Sequence, residues 1–210
     1  MYNLLTSRQN LINSLRWLIG YLLILIMLAW LCTEVWEKEV FSLDRSLLLW
    51  IHQFANPLLD RIMLFVTALG DPAMVITIFI STVVWLRMKR RSSDGIRFVI
   101  VCVGGLLINQ IMKLFFAKPR PELWARLISE HSFSFPSGHA VGSMIVYGFI
   151  AYILARELPI YQRYIYAIAS ILIITIGFSR LYLGVHYPTD IIAGYGVGIL
   201  WLTTCLKIRF

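Results

Sequence analysis

Two histidines of this chain stand in local patterns that suit chemistry on a phosphate group. The first, His139, follows Pro136, Ser137 and Gly138 at the beginning of a long apolar stretch. This order predicts a helix that begins near Ser137, whose first backbone N–H groups are free to bind an anion. An ionisable side chain is costly in such an apolar setting, and its presence there indicates a function.

The second histidine, His186, stands four residues before Asp190. Residues at this spacing share one face of a helix, so the carboxylate can bond one ring nitrogen and leave the other free. Pro188 predicts the first turn of that helix. The pair therefore favours a histidine that attacks an electrophile or binds a metal, although a purely structural hydrogen bond has the same spacing.

Three basic residues accompany the histidines: Lys113, Arg120 and Arg180. Lys113 stands near the end of an apolar stretch, where a lysine can simply extend its amine to the membrane surface. Arginine bonds two oxygens of a phosphate at once, which favours a binding role for the two arginines.

The composition indicates a chain that lies mostly in a membrane. Of its 210 residues, 59% are hydrophobic and 14% are charged. About 20 apolar residues span a bilayer as a helix. Six stretches qualify, at about 16–33, 72–88, 97–116, 138–156, 163–179 and 188–206. The expected fold is an all-α bundle of six transmembrane helices in one domain, 1–210, with a short interfacial helix within 42–54 between the first two spans.

Alternating spans place the end of the third helix, the start of the fourth, the end of the fifth and the start of the sixth on one side. The histidines, Asp190 and the three cations should therefore meet there. The basic run 87–91 predicts a cytoplasmic turn between the second and third spans. The site is then expected on the extracytoplasmic face of the cell (inner) membrane. The net charge of +8 is spread among many loops, so no nucleic-acid partner is predicted.

Three motifs together resemble the type 2 phosphatidic acid phosphatase (PAP2) superfamily. They are Lys113 with Arg120 and Pro121, then Pro136 to His139, then Ser179 and Arg180 with His186 and Asp190. The resemblance implies a lipid phosphatase that uses no metal and no cofactor. It implies His186 as nucleophile, Asp190 as the group that orients it, and His139 as general acid. It also implies a phosphate site formed by Lys113, Arg120, Ser137, Gly138 and Arg180.

The expected substrate is a lipid phosphate of the bilayer, such as phosphatidylglycerophosphate, phosphatidic acid or undecaprenyl pyrophosphate. Lys118 and Arg126 are expected to hold a second phosphate. An enzyme dedicated to undecaprenyl pyrophosphate is an alternative. A transporter for anions or lipid phosphates and a zinc hydrolase with His139, His186 and Asp190 as ligands are alternatives of other classes. Nothing in the pattern distinguishes a monomer from an oligomer.

Overall fold

The computed structural model describes residues 2–37 and 42–208, with side chains from residue 12 onward except residue 13. These residues form α-helices joined by loops, and they contain no strand. The helices are α1 (Tyr2–Trp36), α2 (Ser42–His52), α3 (Pro57–Ala68), α4 (Pro72–Met88), α5 (Ser92–Phe116), α6 (Gly138–Glu157), α7 (Gln162–Tyr182) and α8 (Pro188–Lys207), with a 3-10 turn at Pro159–Tyr161 before α7.

Five of these helices are long and apolar enough to cross a membrane: α1 from Ser14 onward, α5, α6, α7 and α8. The short helices α3 and α4 pass the same test together, bent by 42° at the break between them, and give a sixth span. The predicted all-α fold with six spans is therefore confirmed. The predicted stretch 72–88 matches α4, but the sequence analysis did not predict that this span continues through a bend into α3.

Helix α2 matches the short helix predicted within 42–54, and its Trp50 is exposed as expected for a membrane surface. Helix α2 is also joined by hydrogen bonds to the first turn of α8. The buried Asp44 accepts hydrogen bonds from the backbone N–H of Thr189 at 3.2 Å and from its hydroxyl at 2.6 Å. Burial raises the pKa of Asp44 although these bonds oppose the shift. Helix α2 thus supports the beginning of α8.

Helices α6 and α8 form the centre of the bundle. In the most apolar 18-residue segment of each helix, 56% of α6 and 61% of α8 is buried inside the protein, whereas only 17% of α1 is. The two helices pack closely because small residues meet at their contact. A β-carbon on Gly194 would lie 2.7 Å from the Ala140 side chain and 2.9 Å from the Ser137 carbonyl oxygen. This approach places the start of α8 beside the start of α6.

Proline marks the beginning of several helices, as expected where the missing N–H costs nothing. It is the first residue of α3, α4 and α8. Before α3, the Asn56 side chain also accepts hydrogen bonds from the N–H groups of Leu58 and Leu59.

The two ends of the bundle carry different ionic groups. At the start of α5, Asp94 forms ion pairs with Arg91 at 3.1 Å and with Arg97 and Arg156 at 3.3 Å each. At its end stands Lys113, roughly 28 Å away at 1.5 Å per helical residue. The basic run 87–91 and the predicted site therefore lie at opposite ends.

Candidate active site

The structure brings the predicted site residues together at one end of the bundle. Lys113 ends α5, Arg120 lies on the loop that follows, and Ser137 to His139 begin α6. Arg180 stands in the last turn of α7, His186 precedes α8, and Asp190 is in the first turn of α8. The Ser137 N–H donates to the Asp190 carbonyl at 3.0 Å, which joins the second motif to the third.

His186 is buried among polar partners. Its Nε2 atom lies 3.1 Å from Nη1 of Arg120, and its Nδ1 atom lies 3.3 Å from the Ser134 hydroxyl and 3.5 Å from Oδ2 of Asp190. Burial lowers the pKa of His186 to about 3; Asp190 opposes this shift, and Arg120 and Arg180 add to it. The imidazole is therefore neutral at physiological pH, which is the form that can act as a nucleophile.

Asp190 has hydrogen-bond partners besides His186, which its spacing from that histidine does not predict. The Ser134 hydroxyl donates to Oδ2 at 2.5 Å, and the Tyr187 N–H donates to the same oxygen at 2.9 Å. Lys118 bonds the other oxygen at 2.8 Å. Ser134 thus lies beside both His186 and Asp190, and its hydroxyl helps to hold the ring and the carboxylate in place.

The position of Lys118 argues against the expected second phosphate site. Its amine is buried and bonds Asp190 and the hydroxyl of Thr189, 3.1 Å away. The guanidinium of Arg126 bonds the carbonyl oxygen of Pro121. Both cations are engaged within the protein, and Lys118 serves the carboxylate that accompanies His186. The sequence pattern could not reveal the ion pair between Lys118 and Asp190 because the two residues are 72 positions apart in the chain.

The two arginines of the phosphate motifs converge on one carboxylate, Glu130. One oxygen of Glu130 lies 3.4 Å from Nη2 of Arg120, and the other bonds Nη2 of Arg180. Burial raises the pKa of Glu130, but the charges of the two arginines outweigh it and leave the pKa below its usual value. Because both guanidinium groups bond the carboxylate of Glu130, they are placed to bind one small anion together. Other bonds hold them in place, since Arg120 donates to the Val185 carbonyl and Arg180 to the Thr67 hydroxyl.

Further donors surround this position. Nε of Arg180 and the hydroxyl of Ser137 are buried without a hydrogen-bond partner among the described residues. Lys113 bonds the carbonyl oxygen of Phe133 and lies beside Gly138, where a β-carbon would be 4.0 Å from its Cε. The set has the donors that the oxygens of a phosphate require.

His139 has a partner that the sequence analysis missed. Its Nε2 lies 2.8 Å from Oδ1 of Asp71, at the break between α3 and α4. Asp71 precedes Pro72 at the beginning of a span. An aspartate before a proline is explained locally as a helix cap, so no sequence pattern pairs it with a histidine 68 residues away.

Two other side chains of the loop between α5 and α6, His131 and Trp124, have surroundings of their own. His131 is exposed. Trp124 stacks on His52 with ring centroids 4.1 Å apart. Among residues 2–37 and 42–208, no group of three or more His, Cys, Asp and Glu side chains has the arrangement of a metal site. His139 bonds Asp71, whereas His186 and Asp190 lie beside each other.

The fold and the site define a multi-pass membrane protein whose two histidines and three cations meet at helix ends. The sequence pattern of the PAP2 superfamily matches residues 94–210. The chain is 31% identical to phosphatidylglycerophosphatase B of Bacillus subtilis, over 86% of this chain and 88% of that protein. It is 29% identical to the undecaprenyl-diphosphatase BcrC of the same organism, over 69% and 72%.

Solved structures show the same relationship. The transmembrane PAP2-type phosphatidylglycerolphosphate phosphatase of Bacillus subtilis superposes with a TM-score of 0.77 at 30% identity, over 89% of this chain and 92% of that chain. LpxE of Aquifex aeolicus superposes with a TM-score of 0.67 at 26% identity, over 81% and 98%. The chain belongs to the PAP2 superfamily. It is a membrane-embedded lipid phosphatase.

Proposed function

We propose that the chain removes the terminal phosphate of membrane lipid phosphates in two steps, with a phosphohistidine on His186 as the intermediate. The observation that carries the proposal is the meeting of a buried, neutral histidine, a second histidine and the cations at one end of the bundle. A transporter needs the cations but no nucleophile, so the paired histidines favour catalysis.

In the first step, Nε2 of His186 attacks phosphorus and the bond from phosphorus to the lipid oxygen breaks. His139 donates a proton to that leaving oxygen. Asp190, with Ser134, holds the His186 ring in the required orientation. In the second step, His139 accepts a proton from water, the water oxygen attacks phosphorus, and the bond from phosphorus to Nε2 of His186 breaks. Phosphate is released and His186 becomes neutral again.

The charge that spreads over the phosphate oxygens is balanced by fixed donors. Arg120 and Arg180 each bond two oxygens, and Lys113 supplies a third positive charge. The Gly138 N–H and the Ser137 hydroxyl bond the rest, because the Ser137 N–H already donates to the Asp190 carbonyl. The carboxylate of Glu130 must leave the two arginines when the phosphate enters, because the anions would occupy the same donors. This set of charges performs the task that a metal ion has in other phosphatases.

We infer that both monophosphate and diphosphate lipids are substrates: phosphatidylglycerophosphate, phosphatidic acid and undecaprenyl pyrophosphate. Two observations support this range. The relatives include a phosphatidylglycerophosphatase and undecaprenyl-diphosphatases from Bacillus subtilis and Sulfolobus acidocaldarius. The pocket also lies at helix ends, where a lipid can keep its tails in the bilayer. An enzyme dedicated to undecaprenyl pyrophosphate is the second candidate, and the two undecaprenyl-diphosphatases favour it.

The deciding experiment is a comparison of kcat/KM for these three lipids and for a water-soluble phosphate ester, with purified protein and EDTA present. We expect hydrolysis of all three lipids, weaker hydrolysis of the soluble ester, and no effect of EDTA. Activity on undecaprenyl pyrophosphate alone would establish the second candidate. Activity lost in EDTA and restored by zinc would contradict the metal-free mechanism.

We further propose that residues 1–210 act as one domain in the cell membrane, with the site on the extracytoplasmic face.

A further inference from the structure

The carboxylate of Asp71 makes a direct hydrogen bond to the general acid of the proposed reaction. Its Oδ1 lies 2.8 Å from Nε2 of His139. The histidine is 9% exposed, whereas the side chain of Asp71 is 47% exposed. The aspartate therefore connects a buried ring to the edge of the protein.

The local role of Asp71 does not explain this position. It is the N-cap residue of α4, where an aspartate usually accepts a hydrogen bond from the N–H groups of the first turn. The Asp71 side chain makes no such bond. The carboxylate is directed to His139 instead.

The break between α3 and α4 is fixed against α6, the helix that carries His139. The Tyr147 hydroxyl donates to the Leu69 carbonyl at 2.7 Å, two turns along α6 from the histidine. Gly70 lies so close to the ring that a β-carbon there would be 2.7 Å from Cδ2 of His139. Residues 69–71 thus contact α6 at both Tyr147 and His139.

The other charged groups near His139 come from two other parts of the protein. Arg180 on α7 repels a positive imidazolium, and Glu130 on the loop between α5 and α6 attracts it. Glu130 is already paired with Arg180. Among the described residues, Asp71 is the carboxylate that bonds the ring of His139 directly.

We propose that Asp71 is the positioning residue of His139, a role that rests on the proposed function, in which His139 is the general acid. Asp71 keeps a proton on Nε2 and so leaves Nδ1, which bonds no described residue, for the reaction. When Nδ1 is protonated, the carboxylate balances the charge of the imidazolium. Nδ1 then gives its proton to the leaving oxygen and later accepts one from water, while Asp71 remains ionised.

The test compares Asp71→Asn and Asp71→Glu with the wild-type protein across pH, with a lipid monophosphate as substrate. The amide keeps the size of the side chain but removes its charge. We expect Asp71→Asn to lower kcat roughly tenfold to a hundredfold with little change in KM, since partners of this kind have such effects. The alkaline limb of the kcat profile should shift to lower pH by about one unit, because an opposite charge at this distance favours the protonated ring by that amount or more. Asp71→Glu should recover part of the loss.

A double variant and a matched control complete the experiment. Asp71→Asn should add no further loss to His139→Ala, since both act through one ring. Glu157→Gln removes a carboxylate of similar exposure, 35%, which pairs with Arg91 at the other end of the bundle; its kcat and pH profile should equal the wild type.

Two outcomes separate the two proposals. If Asp71→Asn keeps the wild-type kcat and pH profile while His139→Ala is inactive, the role of Asp71 is refuted and the proposed function stands. If His139→Ala itself remains active, the general-acid role fails and that of Asp71 fails with it. Size-exclusion profiles and thermal unfolding in detergent identify variants that do not fold. An Asp71→Asn protein with a normal fold, lower kcat and an unshifted limb would also refute the proposal, because a merely structural role would produce it.

Discussion

Each histidine of the site has a carboxylate beside it, but the two environments differ. His186 is enclosed by Arg120, Ser134 and Asp190, and its low pKa keeps it neutral. His139 bonds a half-exposed aspartate instead. A neutral nucleophile and a proton donor are the two forms that the proposed reaction requires at the same pH. The residue environments therefore agree with the division of roles.

The division of roles predicts the effect of removing each ring. His186→Gln should abolish turnover and His139→Ala should leave at most a trace, because the loss of a nucleophile costs orders of magnitude. The matched control is His52→Gln, which changes a histidine that stacks on Trp124 outside the site and should keep a near wild-type rate. Phosphate release by purified protein measures all three. More than about a tenth of the wild-type rate in His186→Gln would exclude the phosphohistidine route.

The pairing of Lys118 with Asp190 predicts a loss of stability. Lys118→Met should lower the free energy of unfolding by about 3 kcal/mol, because a buried carboxylate loses its cation. Activity should fall by the same factor for monophosphate and diphosphate lipids. Thermal unfolding in detergent and a two-substrate assay measure these effects, with the exposed Lys89→Met as control. An unchanged Tm with a loss confined to diphosphates would instead show that Lys118 binds a second phosphate.

At the scale of elements, the site depends on helix ends that come from distant parts of the chain. Helix α2 supports the start of α8 through Asp44 and Thr189, and the break between α3 and α4 supports the start of α6. Thr67 on α3 also bonds Arg180 on α7. The first third of the chain thus contributes no predicted catalytic residue, yet it holds the helices that carry them.

This dependence predicts different outcomes for two Gly→Ala variants. A β-carbon at Gly70 would lie 2.7 Å from Cδ2 of His139 and 2.8 Å from the Ile176 side chain. Gly70→Ala should therefore displace the ring and lower kcat on the order of tenfold to a hundredfold. At Gly142, on the same helix as His139, a β-carbon meets nothing within 4 Å. Gly142→Ala should leave kcat unchanged, and equal rates for the two variants would contradict the argument.

At the scale of the whole molecule, the two ends of the bundle carry different chemical groups. The ion pairs around Asp94 lie at the end of the basic turn, and the proposed phosphate site lies at the other. A lipid phosphate keeps its headgroup at the level of the helix ends while its tails remain in the bilayer. The orientation of the bundle therefore decides which leaflet supplies the substrate.

The proposed orientation is testable in intact cells. In a chain with Cys32, Cys102 and Cys205 replaced by alanine, a cysteine at Glu122 should react with a membrane-impermeant maleimide, since that side chain is 90% exposed. A cysteine at Ser92, exposed at the start of α5, should react only after the cells are opened. The reverse pattern would place the site on the cytoplasmic face.

The class of fold and the groups that meet at one end of the bundle can be predicted from the amino-acid sequence. Apolar length gives the spans, prolines mark helix starts, and the alternation of spans assigns each motif to a side. These are local properties, so they can be read along the chain. The three motifs also sufficed to indicate the superfamily.

The pairing of ionisable groups within that end depends on how the helices pack against one another. It joined Asp71 to His139, Lys118 to Asp190, and Glu130 to both arginines. The spacing of residues along the chain could not show these pairs because their members lie on separate elements. The apolar pattern predicts how far along a span a residue lies, but it does not predict which residue of another element lies beside it. For this reason the sequence pattern predicted that Lys118 binds a second phosphate, whereas the structure pairs it with Asp190. The bend between α3 and α4, which brings Asp71 to the ring, is likewise a product of packing against α6.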